Sequence, residues 1–491
     1  MIKKLLPKKW LWLPGLCILL TISYGSFAQK LNLSFEHFGT REGLSQINVN
    51  CIIQDSRGFM WIGSRNGLNR YDGYKFITYR HDNHDENSLT NNMITDLAED
   101  SDGNIWVATQ NGLNCYERKT GNISRYVHDN HIPGSLSNNI INRLRFDGRG
   151  TLWIGTQNGG LDGLDIKTKI FSHHLHSDAD AGTVSDNNVR AVYMDSGGRI
   201  WAGTSGKGLN LFDPKTNSFA HMLPGRNIIC MAENGDHEFW IGTQEDGLYS
   251  FNEKSGTFRQ FKHSDDQRIN SISSNTIYSL GKDESGNLWI GTENGGLSVW
   301  DKKDQSFYSY IHDEVDGNTI NGNSIYAICR DRVGNMWLGA FSGGINLYKK
   351  TTSSFVLYRH NSLPTSLSNN FVLDLFEDRD KNIWVGTDGG GLNKLDQSTG
   401  VFTHYKQQAG GKKGLSGNYV IVVNQDDKGD LWVGTWGNGI TVMNPASGKC
   451  TYFNTNATGS HKLSGNNVYN LVRTKDDKIW AGIFGGGLNC Y

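Results

Sequence analysis

Residues Ser366–Tyr405 read SLSNNFVLDLFEDRDKNIWVGTDGGGLNKLDQSTGVFTHY, and the architecture of the whole chain follows from this stretch. Four short apolar runs alternate in it with turns rich in aspartate, asparagine and glycine. Runs of about five residues between such turns predict a four-stranded antiparallel meander. One such sheet cannot bury both of its faces, so it needs neighbours of the same kind on either side.

The same unit occurs ten times, and a tryptophan in a WIGT-like segment marks each copy. The intervals between successive tryptophans run from 39 to 49 residues. The ten are Trp61, Trp106, Trp153, Trp201, Trp240, Trp289, Trp337, Trp384, Trp432 and Trp480. Four strands in such a period are typical of a propeller blade. We therefore predict an all-β protein, a β-propeller of four-stranded antiparallel blades in ten repeats.

Two further positions keep the repeat register. An aspartate lies six residues before the tryptophan in eight copies, and a glycine lies two residues after it in nine. We predict that the aspartate accepts backbone amides in the turn between the first and second strands, which makes it structural rather than catalytic. The fifth copy, around Trp240, follows an interval of only 39 residues and lacks this aspartate. We predict a shortened loop on one face of that blade.

Composition excludes several protein classes. The 491 residues include 60 glycines, and 11% of the chain is aromatic. Disordered chains are poor in aromatic residues, collagen needs glycine at every third position, and glycine disfavours helices. The net charge is -1, and no basic stripe suggests a nucleic-acid partner.

Motifs for chemistry are absent from the sequence. It contains no HExxH, no GxSxG and no phosphate-binding GK[ST] loop. The acidic stretches at 82–87 and 312–318 lack the spacing of a calcium loop and are interpreted as solvated turns. The cysteines outside the N-terminus have no zinc-like spacing, and we expect buried free thiols. We predict no catalytic residue, no metal and no cofactor.

The N-terminus has the features of an export signal. Residues 1–28 combine a lysine-rich start, an apolar run and small residues at Ser26 and Ala28. We predict cleavage after Ala28 and a periplasmic location. No later segment has 18 consecutive apolar residues, so we predict no membrane span in the mature chain.

The segment before the first copy bears on ring closure. Phe35–Phe38 (FEHF) matches a fourth strand such as Phe402–Tyr405 (FTHY), so the N-terminus supplies an outer strand to another blade. We prefer a seven-bladed propeller over residues 29–350, followed at 351–491 by three blades of an incomplete second ring. The alternative is a single ten-bladed ring, which the leading strand would complete by joining the last blade. Propellers typically have four to eight blades.

The repeats resemble a known family. Gly43–Gly73, Ser88–Leu113 and Ser366–Leu392 are similar to the two-component regulator propeller repeat, and the resemblance covers residues 35–491. It implies the extracytoplasmic sensor region of hybrid two-component sensor histidine kinases, many of which respond to oligosaccharides released from glycans. The β-sandwich, membrane helix and kinase modules of that family have no counterpart in the sequence. We therefore interpret the chain as a sensor fragment, not an enzyme, and expect a homodimer where it is part of a full-length sensor.

Two repeat positions vary in a way that suits ligand binding. They lie four residues after the tryptophan and eleven before it, and both are expected at the rim of the central channel. The candidate ligand-binding residues are Arg65, Arg190, Tyr278, Glu293, Tyr326, Phe341 and Trp436. Aromatic faces stack on sugars, and arginine or glutamate takes hydroxyls or a uronate. We predict an oligosaccharide or other small-molecule ligand. The alternative for the two positions is ordinary drift of surface residues without a role. The alternatives for the chain are a secreted protein-interaction scaffold and an extracellular glycan-active enzyme.

Overall fold

A computed structural model describes residues 33–350 and 357–491, apart from residues 236, 267, 362, 398–399 and 409–413. The predicted signal at 1–28 lies outside the described residues. Within the described part of the chain, no helix is long and apolar enough to cross a membrane. Apart from two short 3-10 turns, Thr40–Glu42 and Gly459–His461, the regular structure described there is β-strand.

The N-terminal strand and seven sheets occupy residues 35–348. The strands are β1 (Phe35–Phe38); sheet 1, β2 (Val49–Gln54), β3 (Met60–Ser64), β4 (Gly67–Tyr71) and β5 (Phe76–Tyr79); sheet 2, β6 (Ile94–Glu99), β7 (Ile105–Thr109), β8 (Gly112–Tyr116) and β9 (Ile123–Tyr126); sheet 3, β10 (Ile141–Phe146), β11 (Thr151–Thr156), β12 (Leu161–Asp165) and β13 (Phe171–His174); sheet 4, β14 (Val189–Met194), β15 (Ile200–Thr204), β16 (Gly208–Asp213) and β17 (Ser218–Met222); sheet 5, β18 (Ile228–Gly235), β19 (Glu238–Thr243), β20 (Leu248–Asn252) and β21 (Thr257–Phe261); sheet 6, β22 (Ile277–Lys282), β23 (Leu288–Thr292), β24 (Leu297–Asp301) and β25 (Ser306–Tyr310); and sheet 7, β26 (Ile325–Arg330), β27 (Met336–Ala340) and β28 (Gly344–Tyr348).

Three more sheets follow, all antiparallel like the first seven. Their strands are, in sheet 8, β29 (Val372–Glu377), β30 (Ile383–Thr387), β31 (Gly391–Leu395) and β32 (Phe402–Tyr405); in sheet 9, β33 (Val420–Gln425), β34 (Leu431–Thr435), β35 (Gly439–Met443) and β36 (Cys450–Phe453); and in sheet 10, β37 (Val468–Arg473), β38 (Ile479–Ile483) and β39 (Gly487–Cys490). The predicted all-β architecture of ten blade-like sheets is confirmed, although sheet 10 has three strands among the described residues.

Strand β1 completes sheet 7. It pairs with β28, with Phe35 opposite Tyr348 and Phe38 opposite Ile345. Phe38 also stacks on Trp337, with ring centroids 5.8 Å apart. The N-terminal strand therefore serves as the fourth strand of the seventh sheet, and this pairing argues against the single ten-bladed ring, in which it would join sheet 10.

Buried apolar clusters join the first seven sheets in a cycle. Each cluster is shared by two consecutive sheets, from sheets 1 and 2 to sheets 6 and 7. A further cluster brings Val49 and Ile62 of sheet 1 together with Trp337 and Ile345 of sheet 7. From this cycle of contacts we infer a closed seven-bladed ring, and we propose residues 29–350 as that unit.

Sheets 8 to 10 have contacts in a row. One buried cluster joins sheets 8 and 9, and another joins sheets 9 and 10. Among the described residues, no buried cluster joins sheet 10 to sheet 8. The outward faces of the two end sheets expose apolar side chains, with Leu375 at 67% and Leu488 at 65%. We infer that residues 351–491 contribute three blades of an open arc.

The repeated aspartate holds the turn between the first two strands, as predicted. In sheet 2, Asp100 Oδ1 accepts the amides of Asp102 at 3.0 Å and Asn104 at 2.9 Å. Its other oxygen accepts the indole N–H of Trp106 at 2.9 Å, a bond that the sequence analysis did not foresee. The carboxylate thus links the turn to the buried tryptophan. The indole N–H groups of Trp153 and Trp240 are buried without a partner.

Sheet 5 departs from the repeat as its sequence indicates. Only residues 223–227 connect β17 to β18, whereas residues 80–93 separate the equivalent strands β5 and β6. The shortened loop is therefore confirmed. At the opposite end of sheet 5, the Glu253 carboxylate accepts a hydrogen bond from the guanidinium of Arg199 in sheet 4 at 2.5 Å. It also contacts His237 Nδ1 at 2.9 Å. These contacts lie where eight of the other nine sheets have the aspartate turn.

Candidate functional site

The two variable repeat positions meet at one end of the central channel. The amide of the residue four after the tryptophan donates to a carbonyl just before the innermost strand in each sheet. Examples are Phe341 to Ser324 at 2.8 Å and Glu293 to Thr276 at 3.0 Å. This bond places the turn beside the start of the innermost strand. The residue eleven before the tryptophan comes two positions after the accepting carbonyl, so both variable residues share the rim.

A β-bulge sets the orientation of the second variable position. In all ten described innermost strands the pairing register skips one residue, and the skipped residue is the one eleven before the tryptophan. In β22, for example, Ile277 and Ser279 pair with β23 and Tyr278 does not. A bulged residue is left out of the ladder, and its side chain is aimed away from the regular pleat.

Five of the seven predicted residues form one continuous chain of contacts across sheets 6, 7 and 1. The guanidinium of Arg65 lies 4.8 Å from the ring centre of Phe341. The Phe341 ring is 5.4 Å from that of Tyr326, and Tyr326 is 4.2 Å from Tyr278. Burial raises the pKa of Tyr278, and its contacts with Tyr326 and Glu293 raise it further. The Tyr278 phenol is therefore neutral at physiological pH.

Arg190 lies on sheet 4, across the channel from part of this chain. Its guanidinium donates to the side-chain oxygen of Gln244, which holds the turn position on sheet 5. Burial lowers the pKa of Arg190, and the positive charge of Arg143 lowers it further, whereas Tyr278 opposes both. Arg190 thus faces the same space as the aromatic chain.

The structure does not bring Trp436 to the other six residues. It lies in sheet 9, and its ring centre is 5.5 Å from that of Phe484 in sheet 10. Trp436 is 41% exposed and Phe484 is 64% exposed. The pair occupies the repeat position of Phe341 but belongs to the open arc.

Three polar residues in the same series have structural contacts. The amide of Asn50 donates to Ile94 O at 2.7 Å, the hydroxyl of Thr95 to Ile141 O at 2.7 Å, and the amide of Asn142 to Val189 O at 2.9 Å. Each bond joins an innermost strand to the next sheet. The rim therefore has a polar side at sheets 1 to 3 that fastens neighbouring blades. Its aromatic and charged side lies at sheets 6, 7 and 1.

Sequence reasoning missed the residues inside the channel. A cavity of about 160 Å³ lies between the innermost strands of sheets 1 to 7, and Arg143, Arg145 and Asp96 are the charged residues of its wall. Arg143 and Asp96 stand ten residues before their tryptophans, next to the position that was compared. The series at this position runs from cysteine to aspartate, arginine and alanine, so the same comparison one residue further would have found them.

The free thiols are confirmed among the described cysteines, but their uniform burial is wrong. Cys51 and Cys115 are buried, and burial raises the pKa of Cys115 to about 12. Cys230, Cys329 and Cys450 are partly buried, and Cys490 is exposed. Cys490 belongs to β39 at the outward face of sheet 10, where no described sheet packs against it. Strand membership alone therefore did not determine burial.

The acidic stretch at 82–87 forms turns. Asp82 Oδ1 accepts the amide of His84 at 2.8 Å, and Asp85 Oδ1 accepts that of Asn87 at 2.9 Å. The ring of His81 contacts the carbonyl of Leu89 at 2.6 Å through Nδ1. Groups of three or more potential metal-ligating side chains are not found in the part of the chain that the structure describes.

Comparison with known proteins identifies the repeats. The profile described as "Two component regulator propeller" matches eight segments. They are residues 43–66, 88–111, 135–158, 183–206, 271–294, 319–342, 366–389 and 414–437. The chain belongs to the two component regulator propeller family. The fifth and tenth copies are the two without a matched segment, and they are also the two that lack the repeated aspartate, with Asn234 and Thr474 in its place.

Individual relatives are more distant. A histidine kinase P4 of Formosa agariphila is 43% identical over 63 residues, which are 13% of this chain and 5% of that protein. Two solved extracellular domains of B. thetaiotaomicron, assigned to a hybrid two component system and to a one component system, have TM-scores of 0.58 and 0.54. They are 23% and 21% identical, over 94% and 93% of this chain and 71% and 66% of theirs. This likeness shows the fold. The chain spans a small part of the kinase and about two thirds of the second domain.

Proposed function

We propose that this propeller is the ligand-sensing, extracytoplasmic part of a two-component signal transduction system, and that its ligand is a glycan-derived oligosaccharide. One observation carries the proposal: the continuous contact chain from Arg65 through Phe341, Tyr326 and Tyr278 to Glu293 at the channel rim. The membership in the two component regulator propeller family and the likeness to an extracellular domain of a hybrid two component system support the sensor role.

The chemistry of the rim suits a sugar. Phe341, Tyr326 and Tyr278 offer neighbouring rings on which the apolar face of a pyranose can stack. Arg65 and Glu293 stand at the two ends of these rings, where planar charged groups form strong hydrogen bonds with hydroxyls. Tyr278, neutral because its pKa is raised, keeps an O–H to donate.

The test is calorimetric titration of the exported chain with a panel of neutral and acidic oligosaccharides. We expect one class to bind, and Phe341→Ala to weaken that binding roughly tenfold or more, because a stacked aromatic ring at a binding site contributes on that scale. Tyr74→Ala is the matched control, since Tyr74 is 95% exposed in the turn between β4 and β5 of sheet 1. Absence of binding across the panel, or equal binding by the Phe341 variant, would contradict the proposal.

Export is a separate part of the proposal. We propose that residues 1–28 are removed and that the mature chain is periplasmic. N-terminal sequencing of the protein recovered from the periplasmic fraction is expected to begin at Gln29. Retention in the cytoplasm, or an intact Met1, would contradict this part and leave the binding site untouched. Homodimerisation is proposed only for the setting of a full-length sensor.

A protein-interaction scaffold is the second candidate. Exposed aromatic residues on sheets 8 to 10 favour it, namely Phe371, Tyr419, Trp436, Tyr469 and Phe484, which are 41% to 71% exposed. Such rings are enriched at protein interfaces. This candidate predicts that Trp436→Ala reduces capture of a partner protein while oligosaccharide binding is unchanged. A glycan-active enzyme would instead convert the ligand that binds, and product analysis after long incubation distinguishes it.

A further inference from the structure

Two arginines share the central channel of sheets 1 to 7 without an ionic partner. Arg143 lines the cavity from β10, and Arg190 on β14 is close enough for the two positive charges to repel each other. The described hydrogen bonds of their guanidinium groups go to neutral oxygens, the Asn142 carbonyl at 3.2 Å and the Gln244 side chain. Among the described residues, neither arginine forms an ion pair. Partly buried cations that lack an ion-pair partner are costly, so this arrangement favours an anion.

The nearby carboxylate balances these charges only in part. Burial raises the pKa of Asp96, and the positive charge of Arg143 opposes that shift. Asp96 lines the same cavity, and its Oδ2 accepts the backbone amide of Leu144 at 2.8 Å. Arg145, the other arginine of the cavity wall, lies over the ring of Tyr193 at 5.8 Å. The cavity and its rim therefore hold two carboxylates, Asp96 and Glu293, against four guanidinium groups, those of Arg65, Arg143, Arg145 and Arg190. Burial raises the pKa of the Cys51 and Cys230 thiols, on sheets 1 and 5, and the positive charge of Arg143 opposes both shifts.

We propose that the channel cavity is an oxyanion site, in which Arg143 and Arg190 hold the carboxylate or sulfate group of an acidic ligand. Guanidinium groups bind planar oxyanions with paired, charge-assisted hydrogen bonds. The cavity of about 160 Å³ is smaller than the roughly 300–1,000 Å³ of a complete small-molecule site, so it takes the anionic group alone. The body of the ligand then rests on Tyr278 and Tyr326, which also line the cavity.

This inference deepens the proposed ligand-sensing function and names the ligand class as acidic. The probes are sodium sulfate and sodium glucuronate, each titrated at constant ionic strength against sodium chloride, with glucose as the uncharged counterpart of glucuronate. The measured quantity is the melting temperature of the full chain as a function of probe concentration. Sulfate and glucuronate separate the two oxyanion sources, because both are anions and they differ in the group that carries the charge.

We expect at least one of the two anions to raise the melting temperature of the wild-type chain in a saturable way, and glucose to have no effect. Arg143→Met and Arg190→Gln are each expected to raise the anion concentration at half-saturation by about tenfold or more, the scale expected for lost charge-assisted hydrogen bonds. Arg149→Met is the matched control, because Arg149 is exposed in a turn of sheet 3 outside the channel. Since sulfate also stabilises proteins non-specifically, the difference between the Arg143 and Arg149 variants is the decisive quantity.

A second readout separates binding from structural support. Without an added anion, Arg143→Met removes both the repulsion with Arg190 and the attraction to Asp96, so its melting temperature is compared with that of Arg190→Gln, which removes the repulsion alone. Equal anion responses in the wild type and both channel variants would overturn the inference. If neutral oligosaccharides bind and neither anion acts through Arg143, only the oxyanion site fails. If the anions act through Arg143 and no oligosaccharide binds, the glycan proposal fails and the oxyanion site stands.

Discussion

A leucine at the same repeat position is buried in the ring and exposed in the arc. Leu97 in sheet 2 is 4% exposed, whereas Leu375, which holds the same place in sheet 8, is 67% exposed. Both lie nine residues before their tryptophans in innermost strands of the same pattern. The difference is the neighbour, because sheet 1 covers Leu97 and no described sheet covers Leu375. Burial in this architecture is thus supplied by the adjacent blade and not by the local sequence.

The largest expected effect concerns the strand that completes sheet 7. Phe35→Ala is expected to destabilise the ring by about 3–5 kcal/mol, because Phe35 is 4% exposed and its loss leaves a cavity. Phe402→Ala, the equivalent change in sheet 8, is expected to destabilise only the arc. Calorimetric scans of both variants give the comparison. A loss confined to the same thermal transition in both would show that ring and arc unfold as one unit.

The next largest effect shows how much an adjacent blade contributes to the free energy of unfolding. Leu97→Ala is expected to cost about 2–5 kcal/mol, and Leu375→Ala less than about 0.5 kcal/mol, since a surface truncation removes little buried area. Urea unfolding followed by tryptophan fluorescence measures both. Similar losses would mean that another surface covers Leu375 in solution, and the open description of the arc would be wrong.

A smaller effect is expected to be equal in the two regions. Asp100 and Asp378 make the same set of bonds: two backbone amides, an asparagine side chain and a tryptophan indole at 2.8–3.0 Å. Replacing either by alanine leaves a buried indole N–H without its acceptor, which costs about 1–3 kcal/mol. Urea unfolding of Asp100→Ala and Asp378→Ala should therefore show matching losses. Unequal losses would show that closure of the ring stiffens its turns.

The smallest effect is on acid stability. Burial acts to raise the pKa of Asp378, but hydrogen bonds from Trp384 and Asn382 outweigh it and hold the pKa below 3.8. A depressed folded-state pKa contributes stability above the unfolded value, and that stability disappears as the pH falls through the folded value. The free energy of unfolding of the arc should thus decrease below about pH 3.8 in the wild type, and it should depend less on pH in Asp378→Asn. An identical pH dependence in the two proteins would contradict this.

Much of the fold could be predicted because each repeat carries the same local information. Strand lengths, turns and the structural role of Asp100 follow from spacing and turn chemistry. The role of the leading strand also follows, since Phe35–Phe38 has the pattern of a fourth strand. The partner of that strand did not follow, because any sheet lacking its fourth strand could accept it.

The site was only partly accessible to sequence reasoning. Variation at two repeat positions led to Arg65, Tyr326 and Phe341, because those positions share the rim. Arg143 was missed, because it stands one residue after the repeat position whose variation pointed to the site. Trp436 belonged to the right series but to the arc, so its repeat position alone could not assign it to the same rim.

The skipped residue in each innermost strand has an evolutionary consequence. Because the bulge leaves that residue outside the pairing ladder, its side chain can be exchanged without altering the sheet that carries it. The glycine two after the tryptophan has no such freedom, since a Cβ on Gly63 would lie 2.6 Å from Ile94 of the next sheet. Nine of the ten repeats thus couple this sterically constrained glycine to a position outside the ladder, and in sheet 2 Ala108 takes the place of the glycine. A lineage of such proteins can acquire new specificities by point substitution around the ring while inheriting its scaffold unchanged.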